Sequence, residues 1–99
     1  MNAFTLQPDR YHWHRDARGA IRRAVRGVAI NSRLIINGEI IVERKHQTAF
    51  YVRSLRDGQF RKVSQTGRNF HPVERKSYGA VTTVIEETAA LVCAWLGAA

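Results

Sequence analysis

The sequence predicts a two-layer α+β domain, and three stretches carry that prediction. Residues 33–44, R-L-I-I-N-G-E-I-I-V-E-R, set aliphatic residues on both sides of Asn37-Gly38. That dipeptide accepts positive φ at both central positions of a type I′ hairpin turn. Asp57-Gly58 marks a second tight turn, between alternating runs that begin at Thr48 and end near Val63. Residues 78–96 place Val81, Val84, Ile85, Leu91, Val92, Trp95 and Leu96 on one helical stripe, with Thr82, Thr83, Glu86 and Glu87 opposite. The expected fold is an antiparallel β-meander of about four strands, with the C-terminal amphipathic helix packed on one face and a shorter N-terminal helix nearby. Ninety-nine residues suffice for one core, so residues 1–99 read as a single domain.

Taken in order, residues 1–10 read as an irregular lead-in with Phe4 and Leu6 as anchors. Tyr11-His12-Trp13-His14 alternates aromatic and histidine, the pattern of a short edge strand. From Asp16, a good N-cap, the spacing becomes helical over 16–29: Ala17, Ile21, Ala24, Val25 and Val28 share a side opposite Arg22, Arg23 and Arg26. Gly19 and Gly27 weaken that helix, and a strand-turn-strand through residues 15–19 competes with it. Two-residue turns set Ile35 opposite Ile40, Leu34 opposite Ile41, Leu55 opposite Phe60 and Val52 opposite Val63, and a three-residue turn at Lys45-His46-Gln47 sets Phe50 opposite Val42. One face then gathers Ile35, Ile40, Val42, Phe50, Val52 and Val63 as the core. The other gathers Leu34, Ile36, Ile41, Tyr51, Leu55 and Phe60 with Glu39, Glu43, Arg53 and Lys62. Ser77 and Gly97 bracket the last helix, and Ile40, Phe50, Val52, Ile85, Val92 and Trp95 are expected to be buried. The order helix, antiparallel strands, helix resembles double-stranded RNA-binding domains in topology, with Arg75-Lys76 where their last helix opens on a lysine cluster. The strand count differs, and no family membership follows.

Charge is the main pointer to function. Sixteen Lys+Arg against eight Asp+Glu give +8 at neutral pH, and thirteen of the cations are Arg. Such an excess draws polyanions, and Arg pairs with phosphate and stacks on bases, although GC-rich coding also enriches Arg. One cysteine, Cys93, excludes an intramolecular disulfide and a cysteine-based zinc site. His12 and His14, with His46 or His71, have no spacing that fixes a metal site, so no metal or cofactor is expected. Nucleotide-binding, hydrolase and metalloprotease motifs are missing, and no catalytic residue is assigned. A metal-independent ribonuclease built on His71, His46, Tyr51, Arg53 and Arg61 is the one enzyme class that leaves no motif.

Two binding surfaces emerge. Tyr51 and Phe60 beside Arg53 and Lys62 resemble a stacking platform for bases, unless Trp13, Phe4 or the first helix covers them. Arg22, Arg23 and Arg26, preceded by Arg18, form a row able to follow phosphates. Arg68, with Gly67, Arg75 and Lys76, adds a candidate rim in the polar stretch 65–77. Arg10, Arg33 and Arg44 sit near segment ends, where hydration is easier, and are left out. The leading expectation is a nucleic-acid-binding module for DNA or RNA. The alternative is a small phage or mobile-element accessory or inhibitory factor that docks on an acidic protein surface. No signal peptide and no run of about 18 to 20 apolar residues is read, so a cytoplasmic protein off the membrane is expected, alone or as a small homo-oligomer.

Overall fold

The computed structural model describes residues 2–5, 16–64 and 76–97. Its elements are β1 (Asn2–Phe4), α1 (Asp16–Arg26), β2 (Arg33–Ile36), β3 (Ile40–His46), β4 (Ala49–Ser54), β5 (Phe60–Ser64) and α2 (Lys76–Gly97). The strands form one sheet in chain order, antiparallel from β2 to β5 and parallel between β1 and β2. The expected meander is present and gains a fifth strand in the lead-in. Three residues are too few to show a period. What makes them a strand is the free edge of β2, where Phe4 aligns with Ile36 and its carbonyl accepts the Asn37 N–H at 2.8 Å. A parallel pair needs a crossover, and α1 lies on the path from β1 to β2. The edge strand read at residues 11–14 and most of the polar stretch 65–77 lie outside the described residues.

Turn chemistry corrects the register in three places. Asn37 (φ 53°) and Gly38 (φ 68°) adopt the left-handed conformation and the Glu39 N–H donates to the Ile36 carbonyl at 3.1 Å, as Asn-Gly predicts. Glu39, however, stays out of the β2–β3 ladder, and its carbonyl accepts the Leu55 N–H at 2.7 Å. Ile36 therefore aligns with Ile40, Ile35 with Ile41, Leu34 with Val42 and Arg33 with Glu43. A slip of one residue exchanges faces. Leu34 and Ile36 join Ile40 and Val42 in the core and Ile35 turns outward, so the hairpin buries four aliphatic side chains on one face. This register wins because the alternative buries only three.

At the next turn the connection is Gln47-Thr48, and the register shifts between Arg44 and His46, so that Val42 aligns with Val52 and Arg44 with Phe50. Asp57-Gly58 does not form a two-residue turn, because only Gly58 has positive φ (75°) and a type I′ turn needs two such residues. Residues 55–58 instead make a longer loop, closed by Gly58 N–H to Ser54 C=O at 3.0 Å and Ser54 N–H to Gln59 C=O at 2.8 Å. Asp57 Oδ1 accepts the Gln59 N–H at 3.1 Å, which holds that carboxyl below its usual pKa. Phe60 consequently aligns with Arg53 and Val63 with Phe50, while Leu55 stands in the loop, exposed. These last two shifts are by two residues, so the faces of β4 and β5 stay as expected.

One core joins the inner sheet face to both helices. It contains Leu34, Ile36, Ile40, Val42, Phe50, Val52 and Val63 from the sheet, Ala17, Ile21 and Val25 from α1, and Val84, Ile85, Ala89 and Val92 from α2. The helices also pack against each other, and Arg22 of α1 forms an ion pair with Glu86 of α2. Residues 16–26 are thus helical, not strand-turn-strand, and the helix ends before Gly27 instead of reaching Ala29. Of the residues expected to be buried, Trp95 alone is only half-buried, packed at the margin of the core. α2 begins at Lys76, ahead of the expected cap at Ser77. Its stretch Gly79–Gly97 is long and apolar enough to cross a membrane by length and composition, contrary to the reading of the sequence, and its buried residues form one wall of the core. Cys93 is half-buried there, and desolvation raises its thiol pKa against the opposing pull of Arg18 and Arg22.

Candidate functional site

The outer sheet face is built from the residues that alternate with the core. Register sets Arg33, Glu43, Tyr51 and Lys62 in one row across β2, β3, β4 and β5, and Ile35, Ile41, Arg53 and Phe60 in the next. Lys45, two residues beyond Glu43 in β3, extends over the same face, with Nζ 3.2 Å from Glu43. Among the described residues no element lies over this face, because α1, α2 and Phe4 all pack on the other side. Trp13, the remaining candidate cover, lies outside the described residues. Phe60 is 52% exposed, and Tyr51, Ile35 and Ile41 are half-buried.

The two rings meet edge to face, with centroids 5.5 Å apart at 77°. Lys45 Nζ and Lys62 Nζ stand 5.7 and 5.9 Å from the Tyr51 centroid, and the Arg53 guanidinium carbon stands 5.7 Å from that of Phe60. These are cation–π distances, so ring and charge are presented together. Arg33 lies 3.9 Å from Glu43, which makes four cations against one carboxylate on the face. Arg33, Ile41, Glu43, Tyr51, Arg53 and Phe60 enclose a shallow hollow of about 210 Å³. Such a surface offers apolar stacking area and phosphate neutralisation at the same level. A larger hollow, about 570 Å³, lies between β5 and α2, but its lining of residues 61–64, Glu87, Ala90 and Leu91 holds no aromatic ring.

The structure brings Tyr51, Arg53, Phe60 and Lys62 together. The α1 cations divide: Arg18 and Arg22 face α2, where both act on the Cys93 thiol, while Arg23 lines a hollow beside β1 and β2. Arg22 is engaged by Glu86, and Arg23 and Arg26 are exposed. Arg68, His12, His14 and His71 lie outside the described residues. His46 is exposed and its Nδ1 accepts the Thr48 N–H at 3.3 Å. Arg61 aligns with Val52, on the opposite face from Tyr51 and Arg53, so these three members of the ribonuclease set do not converge. Among the described residues no group of three His, Cys, Asp or Glu is placed to hold a metal ion.

Two cations of the face were not read from sequence. Lys45 reaches it because β3 runs on to His46, so the alternation of Ile41 and Glu43 continues through a residue read as part of a turn. Arg33 reaches it because the true register turns Arg33 outward beside Glu43. Arg44, read as a hydrated end residue, is half-buried: its guanidinium donates to Val28 C=O and Gln47 C=O, each at 3.0 Å, and lies 5.0 Å from the Phe50 centroid. Desolvation lowers its pKa. No family model matches the chain, nor does any curated protein or solved structure.

Proposed function

We propose that this protein binds single-stranded nucleic acid across the outer face of its sheet, with bases against Tyr51 and Phe60 and phosphates against Arg33, Lys45, Arg53 and Lys62. The observation that carries this reading is the pairing of each ring with its own cation on one face that no described element covers. A single strand exposes its bases to such rings, whereas in a duplex those faces are already stacked. The net charge of +8 adds long-range attraction for the polymer. The same cations also suit an acidic protein surface, a reading in which the rings would carry no base.

Salt titrations with single-stranded and duplex oligonucleotides separate these readings. Tyr51→Ala is expected to weaken single-strand binding by about 1 to 3 kcal/mol with the salt slope unchanged, because stacking releases no counterions. Arg53→Ala with Lys62→Ala is expected to flatten the log-log slope by up to about 1.4, at ~0.7 per phosphate on a single strand. A parent that binds no oligonucleotide at low salt rejects nucleic acid as the ligand. Equal affinity for duplex and single strand, indifferent to Tyr51→Ala, rejects the stacking face.

A further inference from the structure

Beside the stacking face lies a polar hollow of about 510 Å³ lined by Asn2, Asn31, Ser32 and Arg33. Arg33 lines this hollow, the hollow over Tyr51 and Phe60, and the one that leads to Arg23. The surface is therefore continuous from the rings, past Arg33, around the β2 end of the sheet. We infer that this hollow is a base-reading subsite: the strand proposed to cross the sheet passes its phosphate over Arg33 and lodges the adjoining base against Asn31. The inference rests on the proposed function above.

Three observations support it. First, Asn31 is a non-glycine residue at φ 68°, a conformation that costs free energy and that Asn tolerates better than most residues. Second, its backbone is pinned: the Asn31 N–H donates to Arg44 C=O at 2.7 Å, and the Arg44 N–H donates to Ser32 C=O at 3.1 Å. The Arg44 guanidinium adds its bond to Val28 C=O, so the turn is held from two directions. Third, the exposed Asn31 amide makes no hydrogen bond within the described residues, although local bonding to the backbone is the usual employment of an Asn in a turn. An amide carried on this pinned backbone, with both a donor and an acceptor unspent, matches the edge of a base, which also presents both. A phosphate presents acceptors alone, and Arg33 answers that.

Asn31→Gly is the informative variant, because glycine takes positive φ freely and the fold keeps its turn while losing the amide. Affinities of parent and variant for oligo-dA, oligo-dC and oligo-dT of equal length give the readout, with thermal melting alongside. The subsite predicts that the parent separates its best and worst homopolymer by about fivefold or more, the factor carried by ~1 kcal/mol of base discrimination. It further predicts that Asn31→Gly collapses that ratio with the salt slope unchanged and the protein still melting cooperatively. Arg33→Ala is predicted to lower the slope by about 0.7 and keep the ratio. A parent that binds all three homopolymers alike, or a ratio untouched by Asn31→Gly, overturns the subsite while leaving the stacking face standing. Loss of all single-strand binding in the parent is instead the failure of the proposed function itself.

Discussion

At the scale of single residues, half-buried Arg44 and fully buried Thr88 differ in how much of their polar surface is bonded. Arg44 donates from its two terminal guanidinium nitrogens to carbonyls and lies against Phe50, tying the segment after α1 to β3, while its Nε has no partner among the described residues. Thr88 in α2 is fully buried, yet its Oγ1 has no hydrogen-bond partner among the described residues. A buried hydroxyl without a partner carries its desolvation penalty uncompensated, and valine has nearly the same shape without the oxygen. Thr88→Val is therefore expected to stabilise the protein by about 1 kcal/mol, read as a higher urea midpoint at unchanged m-value. An equal or lower midpoint would show that the hydroxyl does find a partner. Neither role was legible in the sequence. Arg44 reads as a solvated strand-end cation until Val28 and Phe50 are brought beside it, and although spacing from Val84 and Val92 puts Thr88 on the apolar stripe, nothing in the sequence tells whether its hydroxyl finds a partner there.

At the scale of elements, the first hairpin offers a direct test of register. Ile36 is fully buried on the inner face, whereas its neighbour Ile35 stands half-buried on the outer one. Ile36→Ala is expected to cost about 2 to 5 kcal/mol through lost transfer energy and a residual cavity, and Ile35→Ala less than half of whatever Ile36→Ala costs. The reverse ranking in chemical denaturation would restore the two-residue-turn register. The elements themselves were legible because period and turn signals agree: Asn37-Gly38 does turn, and Val84, Ile85 and Val92 do face the core. Pairing was less legible. Dipeptides such as Asp57-Gly58 fix where a chain turns, but the number of residues in the loop depends on hydrogen bonds from elsewhere, here Leu55 to Glu39 and Gly58 to Ser54. β1 was not legible at all, since its strand character comes from the β2 edge.

At the scale of the whole molecule, protection should follow position in the sheet. β3 and β4 are flanked by strands on both sides and covered by helices on one face, while β1 is three residues at an edge. Native-state hydrogen exchange is expected to find the slowest amides in Val42 and Val52, near the global unfolding free energy, and far faster exchange in Ala3. Uniform exchange across the sheet would mean that β1 and the centre unfold as one unit. The candidate site was legible to the extent that alternation alone fixes it: Tyr51, Arg53, Phe60 and Lys62 share a face under any register shift of two, and Lys45 joins them once β3 is seen to run on to His46. That alternation has an evolutionary consequence. In the central strands, Ile40, Val42, Phe50 and Val52 hold the fold, and Ile41, Glu43, Tyr51 and Arg53 meet the solvent, so two vocabularies are interleaved codon by codon. The outward set can drift while the inward set is conserved, which makes this small sheet a surface that selection, or a designer's library, can rewrite without renegotiating the core.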